Sequence, residues 1–89
     1  MFDGMDFLSG SVTFMESSLQ EDMLQVEYLD NYLLDVGWYE ETRDFVIYII
    51  KDYEWTKPVA EYRTKNEADI RELVNRAIMQ IETESARNM

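Results

Sequence analysis

Histidine and cysteine, the side chains most used for proton transfer, thiol attack and zinc ligation, are both absent from this 89-residue chain. That removes disulfides, thiol catalysis and thiolate metal sites, and it fits a reducing compartment. Carboxylates are what remains in number. A pair of them can hydrolyse a glycoside when they flank a cleft, and Asp35, Glu40 and Glu41 lie near one another in sequence. A solvated acidic loop is the better reading of those three. No glycine-rich phosphate loop, nucleophile elbow or kinase signature occurs, and no D-x-[DN]-x-[DN]-G calcium loop. The expectation is therefore no enzyme activity, no cofactor and no metal site.

Charge carries more information than catalysis here. The net charge is −11, and it is unevenly spread. Residues 1–42 hold Asp3, Asp6, Glu16, Glu21, Asp22, Glu27, Asp30, Asp35, Glu40 and Glu41 without a single Lys or Arg. Residues 43–89 hold nine acids and all eight basic residues, a balance of −1. Direct contact with nucleic acid or an anionic bilayer is disfavoured, because Lys and Arg drive phosphate binding. A basic protein would be attracted and steered in. Solubility alone is the competing explanation of such a charge.

Aromatic residues form the second constellation. Tyr28, Tyr32, Trp38, Tyr39, Tyr48, Tyr53, Trp55 and Tyr62 combine apolar bodies with polar handles, which suits interfaces as well as small cores. Several stand beside acids. Asp30, Asp35, Trp38, Tyr39, Glu40 and Glu41, with Tyr53 and Trp55 in a later loop, make a candidate rim for Arg and Lys through ion pairs and cation–π contacts.

These residues must be positioned by a fold that the pattern also indicates. Ile70, Leu73, Val74, Ala77, Ile78 and Ile81 recur at helical spacing, and Thr64 with Glu67 has the form of a capping box, so a helix is expected over about 65–83. Phe45–Ile50 reads as a central strand, and Tyr32–Tyr39 as its antiparallel neighbour across the loop Glu40–Arg43. Pro58 assigns Val59–Arg63 to a sheet edge. Val12–Met15 suggests a further strand. Leu24, Val26 and Tyr28 alternate like a strand that turns at Asp30-Asn31. Ser17 with Gln20, or Ser18 with Glu21, offers instead a cap for a helix bearing Leu19, Met23 and Val26. The strand reading is preferred because it makes a coherent meander.

The expected architecture is α+β: an antiparallel β-meander of four to five strands with one C-terminal helix packed across one face. It forms a single domain over residues 1–89, with 1–10 and 85–89 frayed. Strand alternation puts Leu34, Val36 and Trp38 on one face and Leu33, Asp35, Gly37 and Tyr39 on the other. One helix covers only one face, so the face bearing Val46, Tyr48 and Ile50 needs another cover: the amino-terminal segment, a second copy or a partner.

This layout of Leu34-Asp35-Val36-Gly37-Trp38-Tyr39, then Phe45–Ile50, Trp55 with Pro58 and a closing helix, resembles small acidic bacterial immunity proteins over roughly residues 24–83. The resemblance implies a protein that binds and blocks a toxin, often a basic nuclease. Phage-encoded inhibitors that mimic nucleic acid share the composition. The start MFDGMDFLSG lacks the basic residues of a secretory signal, and no apolar run nears the roughly 18–20 residues of a spanning helix, so a cytoplasmic location is expected. The functional expectation is a non-catalytic inhibitory binding protein with a basic macromolecular target. The alternative is a self-associating module whose exposed sheet face forms a homodimer interface.

Overall fold

The computed structural model describes residues 1–16 and 18–87. Five strands lie in chain order, each antiparallel to the next: β1 (Ser11–Met15), β2 (Leu24–Tyr28), β3 (Tyr32–Tyr39), β4 (Asp44–Lys51) and β5 (Ala60–Thr64). One helix, α1 (Ile70–Arg87), follows and packs across β3, β4 and β5. This is the α+β meander that the pattern indicates. Among the described residues, no helix is long and apolar enough to cross a membrane.

The segment with two readings is a strand. Leu24, Val26 and Tyr28 are buried, whereas Gln25 and Glu27 are not. The helical alternative needs Leu19 and Met23 on one apolar face, yet Leu19 is exposed and Met23 fully buried. Ser18 caps no helix; its N–H and hydroxyl both turn back to Glu16 Oε1 at 3.1 Å. The cap proposed at Ser17 lies outside the described residues. Asp30 and Asn31 both adopt left-handed backbone, φ 61° and 60°, the geometry that closes a tight turn compatible with strand twist. That turn sets Tyr28 opposite Tyr32, Val26 opposite Leu34 and Leu24 opposite Val36.

The helix begins later and extends further than the pattern implies. Thr64 still pairs with Phe45 in the sheet, so it cannot serve as the cap. Asn66 takes that role: its side chain accepts the Ala68 N–H at 3.2 Å above a short 3₁₀ turn, Glu67–Asp69. At the other end Ser85 and Arg87 belong to the helix, so only residues 88–89 of the expected frayed tail lie outside the described residues.

A helix about 10 Å across spans two or three strands spaced about 4.8 Å apart, so it cannot roof five. The amino-terminal segment completes the layer. Phe2 is 2% exposed, and Met1, Met5 and Phe7 pack against the same core. Tyr28 Oη donates to the Phe7 carbonyl at 2.9 Å. Arg71 Nη1 donates to the Asp3 carbonyl at 2.8 Å, and Ser9 donates from N–H and Oγ to Glu82 Oε1. The first ten residues, expected to fray, are therefore tied to the helix side. They do not cover the opposite face.

That opposite face has no second layer, yet its apolar residues are not bare. Leu33, Val46 and Ile50 are 7%, 0% and 0% exposed. Val46 sits in register with Gly37 and Arg63, and its neighbours along β4 on the same face are Asp44 and Tyr48. The Glu21 peptide crosses this face over Gly37, the register partner of Val46.

Candidate functional site

The site is built on the sheet face turned away from α1. Strand register puts Gln25 opposite Asp35 and Asp35 opposite Tyr48, so these three form a row across β2, β3 and β4. Glu27 lies beside Leu33 on the same face. The loop between β1 and β2 brings Glu21 and Asp22 to this surface. It is anchored by two backbone bonds, Trp38 N–H to the Gln20 carbonyl at 2.8 Å and Met23 N–H to the Val36 carbonyl at 2.9 Å. Between these anchors the Glu21 peptide crosses directly over Gly37. A Cβ at position 37 would stand 1.9 Å from the Glu21 carbonyl oxygen, so only glycine admits the loop.

Electrostatics follow from this crowding. Asp35 is 4% exposed, and its carboxyl is pushed up from 3.8 to about 6, first by burial and then by the charge of Asp22. The hydrogen bond from Gln25 Nε2 to Asp35 Oδ1, 3.2 Å, opposes the shift without cancelling it. The Tyr39 phenol is likewise raised by burial, with Tyr48, Asp35, Glu21 and Asp22 adding to it. Among the described residues, no ion pair reaches Glu21, Asp22, Glu27 or Asp35. Arg63, Arg71 and Arg76 are committed elsewhere. Arg63 bridges Asp44 at 3.3 Å and Glu61 at 2.5 Å, and Arg76 pairs with Glu72 one helical turn away. Together with the Thr42 hydroxyl, Arg63 holds the Asp44 carboxyl below its usual range.

Next to this cluster, β1 contains a bulge. Val12 pairs with Val26, but Phe14 pairs with Gln25, the register slipping at Thr13. Val12 and Met15 therefore share the helix-side face of the sheet, and Phe14 is re-aimed to the acidic face. There Phe14, Thr13, Asp22, Gln25 and Glu27 line an open groove of about 420 Å³. Phe14 is 43% exposed in it.

The residues singled out from sequence do not form one rim. Asp35 and Tyr39 belong to the acidic face. Glu41 joins Tyr39, Thr42, Tyr48 and Arg63 around a small depression at the β3–β4 turn. Trp38 points to the helix side, its ring 4.7 Å from Phe45 and its indole N–H donating to Glu40 Oε2 at 3.2 Å, which fixes both as edge packing. Asp30, Tyr53 and Trp55 lie at the other end of the sheet. The eight residues of β4 separate the two ends by about 23 Å of extended chain. The error has a simple cause: Glu40–Glu41 and Tyr53–Trp55 flank the same strand, and residues flanking a strand emerge at opposite ends.

The ten carboxylates of the first half also separate. Glu21, Asp22, Glu27 and Asp35 gather on the open face; Asp30 and Glu40–Glu41 mark opposite ends, Asp3 and Asp6 lie in the segment on the helix side, and Glu16 accepts from Ser18 just past β1. Sequence reasoning counted Glu21, Asp22 and Glu27 in the acidic half and Tyr48 among the aromatics without placing them in the rim, and it missed Phe14 and Gln25 altogether. Gln25 faces Asp35 because three residues, Leu29–Asn31, connect Tyr28 to Tyr32, whereas a two-residue turn at Asp30-Asn31 would set Val26 there. The direction of Phe14 depends on the bulge. Comparison with known proteins adds no relative: no family model, no curated protein and no solved structure matches the chain.

Proposed function

We propose that this chain is a non-catalytic binding protein, immunity-like or a nucleic-acid mimic, that occludes a basic macromolecule with the sheet face opposite α1. The observation that carries this reading is the set of carboxylates Glu21, Asp22, Glu27 and Asp35, drawn together beside an exposed aromatic ring with no Lys or Arg paired to them among the described residues. Holding like charges together is unfavourable for the isolated chain, and the cost is relieved when a cation arrives. An exposed ring among carboxylates suits a guanidinium or ammonium group, which gains an ion pair and a π-face together. The open, shallow geometry fits a surface contact better than a substrate cleft.

The test is affinity capture at low salt from the source cell, with the Asp22→Asn/Glu27→Gln double variant in parallel. A basic protein should be captured by the native chain, elute as salt rises and be lost with the variant. Capture that ignores both salt and the two substitutions would sink the proposal. Self-association through this face finds less support, because Leu33, Val46 and Ile50 are already buried within one chain.

A further inference from the structure

We infer that β1 is an acceptor edge, which takes an extended basic segment of another protein as a sixth strand of the sheet. The inference deepens the reading of the acidic face and rests on it. An edge strand presents a row of backbone donors and acceptors to any chain that approaches, and natural sheets guard such edges with charges, prolines, bulges or covering elements. The β5 edge is guarded in this way: Pro58 precedes it, and Glu61, Arg63 and Lys65 stand along it or just past it. The β1 edge has only a bulge. From Phe7 to Met15 there is no charged residue and no proline. All five residues of β1 are exposed, including Val12 (44%), Phe14 (43%) and Met15 (45%). The bulge at Thr13 is its one irregularity, and that bulge swings Phe14 toward the acids.

The two sides of this edge differ in chemistry, which specifies the occupant. Toward the helix side an added strand would meet Val12 and Met15. Toward the open side it would meet Phe14, Asp22 and Glu27. Side chains alternate along a strand, so the complementary segment carries apolar residues at one parity and Lys or Arg at the other. A second copy of this chain is a poor occupant. Antiparallel pairing of two β1 edges would bring both sets of Asp22 and Glu27 together without a cation between them, on chains that each carry −11.

The experiment uses the full chain and a short peptide alternating lysine and valine. Three further peptides serve as controls: the same composition with prolines at two inner positions, the glutamate–valine counterpart, and a block peptide with all lysines first. Binding is followed by titration, and hydrogen exchange reads the amides of residues 11–15. The alternating peptide should bind, slow exchange at β1, and lose roughly tenfold or more in affinity when the prolines remove two backbone donors. The glutamate peptide should not bind. If the block and proline peptides bind as well as the alternating one and β1 exchange is unchanged, strand addition is overturned while the acidic face survives as a binding surface. If no lysine peptide binds even at low salt, both readings fall. Concentration-dependent dimerisation that slows exchange at β1 would overturn the choice of occupant in favour of a second copy.

Discussion

The two edges of this sheet are built from strands of equal length, five residues each, and have opposite character. On β5, Glu61 and Arg63 face the open side, and Arg63 reaches Asp44 on the neighbouring strand, so charge there is compensated within the chain. Tyr62 on the other face donates to Gln80 of α1 at 2.7 Å, which anchors that edge to the helix. On β1 no residue is charged, every residue is exposed, and the nearby acids Asp22 and Glu27 have no ion-pair partner among the described residues. A chain that needed only solubility would have reason to guard both edges. That difference is the ground on which the proposed contact at β1 and its neighbouring acids rests.

The largest way to break the contrast is Gly37→Ala. The added methyl would collide with the Glu21 carbonyl, expelling the loop that carries Glu21 and Asp22. A loss of about 3 kcal/mol in urea unfolding is expected, with faster exchange of the Trp38 amide. An unchanged unfolding midpoint would mean that the loop does not rest on the strand as described.

Asp35→Asn acts in the opposite direction. The Asp35 carboxyl is held at about 6 in the folded chain against 3.8 ordinarily, so the folded state binds that proton more tightly. Its contribution to stability is complete below about pH 4 and is lost as the pH rises through 6. The amide removes this loss. Stability near pH 7.5 should rise by on the order of 1–2 kcal/mol, allowing for partial solvent screening, and the decline between pH 4 and 6 should flatten. Denaturation at several pH values measures both effects, and a variant no more stable than the native chain at pH 7.5 would contradict the assigned environment.

Two smaller changes sharpen the comparison of edges. Glu61→Val with Arg63→Val strips the guard from β5. Self-association should appear in sedimentation of that variant, at a change in folding stability of at most about 1 kcal/mol. Val12→Lys places a guard on β1, where the side chain is 44% exposed. Folding stability should move by about 0.5 kcal/mol or less, while binding of an apolar dye or of the alternating peptide weakens. If the β5 variant stays monomeric and Val12→Lys changes no binding, the two edges are functionally alike.

How much of this was legible beforehand differs by element. Strands β3 and β4 were readable because their β-branched and aromatic residues run without interruption between polar loops, and β2 because Leu24, Val26 and Tyr28 alternate up to a turn of Asp and Asn. The candidate site was only half readable. Asp35 and Tyr39 do lie on the acidic face, but Trp38, Tyr53 and Trp55 were grouped with them by closeness in sequence and the type of their side chains.

The order of residues alone decided the class of fold, the helix-facing stripe and the concentration of acid in the first forty-two positions, since these depend on local periodicity and composition. Tertiary structure decided the rest. Which end of the sheet a loop occupies, the crossing of Glu21 over Gly37, the side to which a bulge turns Phe14 and the docking of Phe2 into the core all depend on contacts between distant segments. Periodicity has a range of a few residues. The site is made of residues that meet only after the chain has folded back on itself.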